Sequence, residues 1–234
     1  MIDFHSHILP GIDDGSSSVK ESLAMLASLR EQRVSAVCAT SHFYATERSP
    51  ERFLYKRAKA FDALCEALPE DAPQIFLGAE VLFFPGISYM KELPRLCLEG
   101  TNILLLEMPF TPWSKHMIRE VRDLAHAGDY TILLAHIDRY FQQQPLRVWE
   151  TFLNDGVYMQ ANADAFLRFS TRRKALKLLR EEVIHVLGTD CHNNLTRPPR
   201  MKEARITIRD KIGTHYLAQI DRYERQLLHE LLPR

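Results

Sequence analysis

His5-x-His7 near the start and Asp190-x-His192 near the end are pairs of side chains that can ligate a metal. Positions i and i+2 of an extended strand point the same way, so each pair can aim two ligands into one site. Between them His42, Glu80, Glu107 and His136 end or closely follow the apolar runs AVCA, IFLGA, ILLL and TILLA. A carboxylate that close to a buried strand is costly unless it is paired or metal-bound, which favours a ligand role for both glutamates. A single x-spaced pair says little. Two such pairs at opposite ends of the chain, with single histidines and carboxylates at the strand ends between, point to one shared centre. Asp13 and Asp14 lie in GIDDGSSS, which reads equally as a turn with helix-capping residues, so their role stays open here. His116, His126, His185, His215 and His229 fall inside helical or mid-strand segments and receive no role. Met108, Phe110 and Trp113 read as packing residues rather than a substrate cage.

The elements that must hold these residues follow from periodicity. Short apolar runs at Ile2–Phe4, Ala36–Thr40, Ile75–Ala79, Ile103–Leu106, Thr131–Ala135, Val157–Gln160 and Val183–Gly188 predict strands buried on both faces. Val19–Gln32, Glu51–Leu68, His116–Ala127, Leu146–Asn154 and Thr171–Glu181 carry apolar residues at i, i+3 and i+4 and predict amphipathic helices. One of Ser16, Ser17 and Ser18, with Glu21 downstream, offers a first N-cap; Pro50 and Pro145 open other helices, and Gly128 and Gly156 close them. Strands alternating with helices, with no Pro-, Gly- or Ser-rich linker, predict one α/β domain over residues 1–234 with a parallel sheet. In such folds ligands bind at the C-terminal ends of the strands, where the candidate residues fall. The last segment, Thr214–Leu232, places Tyr216, Ile220, Tyr223 and Leu227 on one stripe; it predicts a helix docked on the body, or alternatively a homo-oligomer contact.

Composition narrows the partners. Among 234 residues, 30 are Lys or Arg and 30 are Asp or Glu, without blocks of one sign. A general electrostatic grip on nucleic acid or anionic lipid is not expected. No apolar stretch is long enough to span a bilayer, and Met1-Ile2-Asp3 lacks the features of a signal peptide, so a cytoplasmic protein without membrane insertion is expected. Cys38, Cys65, Cys97 and Cys191 are widely spaced with no CxxC pair and read as reduced thiols.

FHSHILPGIDDG, ATSH ending at His42, GAE ending at Glu80, LLLEMPF around Glu107, AHIDRY from Ala135 and LGTDCHNNLTRPP resemble the motifs of the PHP (polymerase and histidinol phosphatase) superfamily. More narrowly they resemble its bacterial manganese-dependent protein-tyrosine phosphatases of the capsule and exopolysaccharide type. The likeness runs in order from Met1 to Pro199. It implies a distorted seven-stranded, TIM-like β/α barrel with three divalent metal ions, manganese first and iron or zinc as alternatives. It further implies that His5, His7, Glu80 and Asp190 hold one metal. Glu80 would bridge to a second, also held by Glu107 and His136, while Asp14, His42 and His192 would hold the third. Five imidazoles and four carboxylates with no thiolate suit such ions better than an iron–sulfur site. The resemblance implies in-line attack of an activated water on phosphorus, with Arg139 and Arg197 presenting planar forks to the nonbridging oxygens. Its implied substrate is a phosphotyrosine protein, an autophosphorylated bacterial tyrosine kinase of polysaccharide biosynthesis or export. Phenolate, with a pKa near 10, leaves without a strong general acid, and none is assigned. Ser41 and Cys191 stand where the family often has Pro and Ala.

Alternative readings remain within the same residues. Cys191 to Arg197 fits the C-x5-R spacing of cysteine-dependent phosphatases, but the loop lacks glycine and runs into Pro198-Pro199, which argues against a phosphate cradle. A PHP enzyme for a small metabolite, such as histidinol phosphate or a sugar phosphate, would use the same metal chemistry. A non-catalytic module recognising phosphoproteins is the alternative of a different class. A nucleic-acid hydrolase fits the neutral composition poorly.

Overall fold

The computed structural model describes residues 1–228; His229 and the end of the expected final helix lie outside the described residues. Among the described residues nine strands form: β1 (Ile2–Ser6), β2 (Ala36–Ala39), β3 (His42–Phe43), β4 (Gln74–Leu77), β5 (Glu80–Leu82), β6 (Ile103–Glu107), β7 (Thr131–Leu134), β8 (Tyr158–Asn162) and β9 (Val186–Gly188). They build a three-stranded sheet in the order β1-β2-β4 and a six-stranded sheet in the order β3-β5-β6-β7-β8-β9, with every pairing parallel. The expected strands at 36–40 and 75–79 are thus each followed by a second short strand. Thr40 and Ser41 separate β2 from β3, and Gly78 and Ala79 separate β4 from β5. Leu98 crowds the second break: a Cβ on Gly78 would lie 2.6 Å from its Cδ2. At the opposite edge β1 meets the segment after β9, where Ser6 bridges to Cys191, His7 N–H donates to the Cys191 carbonyl at 2.9 Å and Asp190 N–H to the His5 carbonyl at 2.7 Å.

The α-helices among the described residues are α1 (Val19–Glu31), α2 (Pro50–Cys65), α3 (Lys115–Ala127), α4 (Leu146–Asn154), α5 (Phe169–Arg180), α6 (Met201–Ile212) and α7 (Thr214–Leu227). Ser18 is the N-cap of α1, its hydroxyl accepting from Glu21 N–H, while the Glu21 carboxylate accepts from Ser17 N–H. Ser49 caps α2 ahead of Pro50, and Gly128 closes α3 in the left-handed region. Alternate strand residues feed two apolar clusters. Val37, Leu104, Leu106 and Ile132 pack with Met25, Leu29, Val121 and Leu124 of the helices, while Ala36, Cys38, Ile103, Leu105 and Leu133 join a smaller cluster on the other face. Both faces are therefore buried, as a parallel sheet requires.

Helix α6 was not expected, because MKEARITIRDKI is charge-rich; Met201, Ala204 and Ile208 nonetheless sit at i, i+3 and i+7 and are buried. Helix α7 docks on the body as expected. Its Ile220 is buried, and the buried Glu224 carboxylate accepts the Ile2 backbone N–H at 3.1 Å. Among the described residues no helix is long and apolar enough to cross a membrane.

Candidate metal centre

Apart from Asp14, which lies in the turn between β1 and the first helix, the candidate ligands sit on a strand or within a few residues of its end. His5 lies on β1 and His7 follows it, with an irregular register between Asp3 and Ser6. His42 opens β3 and pairs in register with Glu80, which opens β5; Glu107 ends β6. His136 follows β7 and Asp190 follows β9, at φ values of +29° and +52°. Side chains with a Cβ avoid that left-handed region at a cost of about 1–3 kcal/mol, and such strain clusters where a side chain must be aimed. Two glycines make room for the histidines. A Cβ on Gly188 would lie 2.5 Å from His5 Cβ, and one on Gly15 2.4 Å from His7 Cβ.

The nine residues converge. His5 Nε2 lies 3.1 Å from His7 Nε2 and 3.2 Å from Glu80 Oε2; His7 Nε2 lies 3.5 Å from Asp190 Oδ1. His136 Nε2 stands 2.7 Å from Glu80 Oε1 and 3.4 Å from Glu107 Oε1. The Nε2 atoms of His42 and His192 each lie 3.4 Å from Asp14 Oδ1. Four groupings result, with donor atoms within 4.8 Å of one another: His7, Asp14, His42 and His192; His5, His7 and Asp190; His5, Glu80 and His136; and His42, Glu80 and Glu107. Ligands about 2.0–2.2 Å from an ion stand about 3–3.6 Å apart, the spacing seen here. Buried donors without partners complete the fit: Glu80 Oε2, His42 Nδ1 and His192 Nε2 make no hydrogen bond, although Glu80 Oε2 and His42 Nδ1 are only 2.8 Å apart. Buried polar atoms are rarely left so, and here they face a common space lined by charge.

Electrostatics keep Glu80 and Asp190 ionised. Burial works against Glu80, but the attraction of His5, the hydrogen bond from His136 and the nearby His42 imidazole hold it well below the usual carboxylate range. Asp190 is likewise depressed: burial opposes, and His5, Arg139 and His7 prevail. For His7, burial is outweighed by Asp13 and Glu80, which raise it to about 10; His136 is raised to about 9 against burial by Glu107 and Glu80. His192 goes the other way, down to about 3, through burial and the His7 charge. The set as it stands is held together by histidine charge that a cation can replace.

Residues behind the ligands fix their orientation, and three of them were not assigned from sequence. Asp13 Oδ2 accepts from His7 Nδ1 at 2.8 Å and from His42 N–H at 2.8 Å, so of the two neighbouring aspartates Asp13 faces inward as a support while the largely exposed Asp14 meets His42 and His192. Gln160 Oε1 accepts the His136 N–H at 2.7 Å and faces His5 Nδ1 at 3.2 Å. Its amide donates to Asn162 Oδ1, and Asn162 Nδ2 donates to Asp190 Oδ2 at 2.9 Å. The only hint of Gln160 and Asn162 in the sequence is a polar side chain at the end of an apolar strand.

Arg139 and Arg197 both grip Asp190, Arg139 Nη2 on Oδ2 and Arg197 Nη2 on Oδ1 at 2.7 Å. They line a cleft of about 410 Å³ with Phe110, Asn162 and Arg168. Met108 and Trp113 are buried packing residues as expected, whereas Phe110 is half exposed, stacks on His136 at 5.9 Å and carries the Arg139 guanidinium 5.7 Å from its ring centre. That expectation is corrected: Phe110 is a wall of the cleft.

The sequence profile of the capsular polysaccharide synthesis family CpsB/CapC matches residues 1–228. The chain belongs to the CpsB/CapC family. This CpsB/CapC chain is 30% identical over 223 residues to the tyrosine-protein phosphatase CpsB of Streptococcus agalactiae, 90% of each chain being covered. It is 27% identical to the tyrosine-protein phosphatase YwqE of Bacillus subtilis, covering 92% of this chain and 86% of that one. Its fold superposes with a TM-score of 0.84 on a crystal structure from the set of YwqE from B. subtilis and CpsB from Streptococcus pneumoniae, described as metal-dependent tyrosine phosphatases. That match covers 100% of this chain and 96% of the other at 21% identity. A chain of archaeal ribonuclease P shares the fold more loosely, at a TM-score of 0.62 and 14% identity.

The cysteine alternative fails in the CpsB/CapC chain on burial. The Cys191 side chain is fully enclosed, and burial together with Asp3 pushes its thiol up, the opposite of what a nucleophilic thiolate needs. The described histidines given no role have other neighbours: on α3, His116 lies near Glu120 of the same helix and His126 near Asp155 at the end of α4, His185 Nδ1 accepts the Met159 N–H, and the His215 ring packs against Tyr216.

Proposed function

We propose that this chain is a metal-dependent phosphatase of phosphotyrosine proteins, acting on an autophosphorylated bacterial tyrosine kinase of capsule or exopolysaccharide export. The observation that carries the reading is the convergence of His5, His7, Asp14, His42, Glu80, Glu107, His136, Asp190 and His192 on one rim. They would hold three divalent ions, manganese in first place and iron or zinc as alternatives, with Glu80 shared between two of them. Bound metal supplies an activated water and Lewis acidity toward phosphorus. The remaining roles belong to the chain. Arg139 and Arg197 stand at the cleft with one carboxylate between them; a metal held by Asp190 would compete for the same oxygens and would leave both guanidiniums available to phosphate. Phe110 offers a ring to an aromatic leaving group, and a phenolate departs without a strong acid.

The reading takes the chain as one domain. It treats β2 with β3, and β4 with β5, as two bent staves, which with the link from Ser6 to Cys191 makes a seven-membered distorted barrel. The free Cys38, Cys65, Cys97 and Cys191 fit a reducing cytoplasm. The test is elemental analysis of the purified protein beside turnover of a phosphotyrosine peptide and of small alkyl phosphates. Expected are bound divalent metal, a strong preference for the phosphotyrosine peptide, and a loss of more than about a hundredfold in His136→Ala. A preference for alkyl phosphates would transfer the same centre to a small metabolite, and no turnover with the metals loaded would leave a recognition module.

A further inference from the structure

Helix α5 carries Arg172, Arg173, Lys174, Lys177 and Arg180 and no acid, in a chain whose charges balance overall. Ser170, Arg173, Lys174, Lys177 and Arg180 share one side of it and line a groove of about 650 Å³. Leu146, half exposed at the start of α4, lines the same groove. Local structure accounts for only part of this charge. Lys174 donates to the Phe141 carbonyl at 2.6 Å, and Lys177 meets Glu181 at 3.6 Å across exposed surface. Lys177 and Arg180 also complement the helix C-terminus. Arg173, mid-helix and exposed, has no acidic partner among the described residues, and a helix terminus does not explain it.

The groove and the site described above meet along the chain at the start of α5. Arg168, the residue preceding α5, lines the cleft of Arg139 and Arg197, and Ser170 two residues on lines the basic groove. From Arg168 to Arg180 the helix runs about 18 Å, the reach of about five to six residues of extended peptide. A concave groove with an apolar patch suits a polypeptide better than a flat lipid surface, which favours a basic helix with a broad apolar face.

We infer that the α5 groove is a docking site for an acidic polypeptide segment of the phosphoprotein substrate, displaced by several residues from the phosphotyrosine held at Arg139 and Arg197. This rests on the phosphatase reading for its orientation. It implies that acidic flanks lower KM and leave kcat alone, since the contacts are the same before and during reaction.

The test uses the metal-loaded protein and its Arg173→Glu/Lys177→Glu variant, with circular dichroism confirming that the variant folds. Substrates are p-nitrophenyl phosphate and two phosphotyrosine peptides, one with four Asp or Glu starting about four residues from the phosphotyrosine and one with Asn and Gln there. Several exposed ion pairs predict a KM roughly fivefold lower for the acidic peptide at low salt, an advantage lost in the variant and at high salt. Turnover of p-nitrophenyl phosphate stays equal in both proteins. Fluorescence anisotropy of the unphosphorylated acidic peptide reads docking without catalysis: binding to the wild type and not to the variant upholds the groove even if the wild type proves to hydrolyse nothing. Equal KM values for the two peptides in an active wild type would overturn the inference. So would binding of both proteins to the acidic peptide alike, or binding of the wild type to phosphatidylserine vesicles but not to the peptide.

Discussion

At the scale of single residues, the distinction that matters is between atoms that would touch a cation and atoms that aim them. The ligand types were legible because histidines and carboxylates at strand ends are out of place unless they work together; the residue types of GIDDG alone left Asp13 and Asp14 undivided, the family resemblance pointed to Asp14, and proximity puts Asp13 behind His7 and His42. Gln160 was invisible for a plainer reason: an amide at a strand end has many uses, and nothing in YMQAN shows that its oxygen meets two different histidine segments. That oxygen leaves His5 Nδ1 as the protonated nitrogen and directs Nε2 toward Glu80. Gln160→Leu should keep the volume and lose the acceptor. Metal affinity, followed by titration into the metal-free protein, should fall by about 10- to 100-fold, with a folded far-UV spectrum. An unchanged affinity would reduce Gln160 to packing.

At the scale of elements, the strand and helix pattern was readable from apolar runs and caps, and its failures have physical causes. Two strands are interrupted, at Thr40 and Ser41 and at Gly78 and Ala79, and resume beyond the break, and α6 hides its three core contacts in a charged sequence. What the pattern does not reveal is how closely β9 approaches β1. Gly188 packs against the backbone and Cβ of His5, so Gly188→Ala must displace the strand that bears a ligand. It should cost about 1–3 kcal/mol by overpacking and depress activity per folded molecule. Gly128→Ala is the contrast: its φ of +79° makes the variant strained, but a Cβ there meets nothing within 4 Å, so urea melts should shift while specific activity holds.

At the scale of the whole molecule, folding is tied to pH through a histidine outside the centre. His185 is held at about 4 by burial, and its Nδ1 accepts the Met159 N–H, which only the neutral ring can do. Above pH 6.5 the ring is neutral in both folded and unfolded chains and contributes no slope. Between 6.5 and about 4 the unfolded chain takes up the proton first, so stability falls with pH and then levels off. His185→Asn preserves an acceptor and removes the titration. The difference in unfolding free energy between wild type and variant should therefore change by about 1–3 kcal/mol across that window, read by urea denaturation at stepped pH. A constant difference would place the acid sensitivity elsewhere. The link between Ile2 N–H and Glu224, 222 positions apart in sequence, has a bearing of its own. The strand that delivers His5 and His7 hangs by its first amide from α7, so that helix is a fixture of the reactive rim rather than an appendage. Anything that pries it loose would slacken the very thread on which two imidazoles are strung.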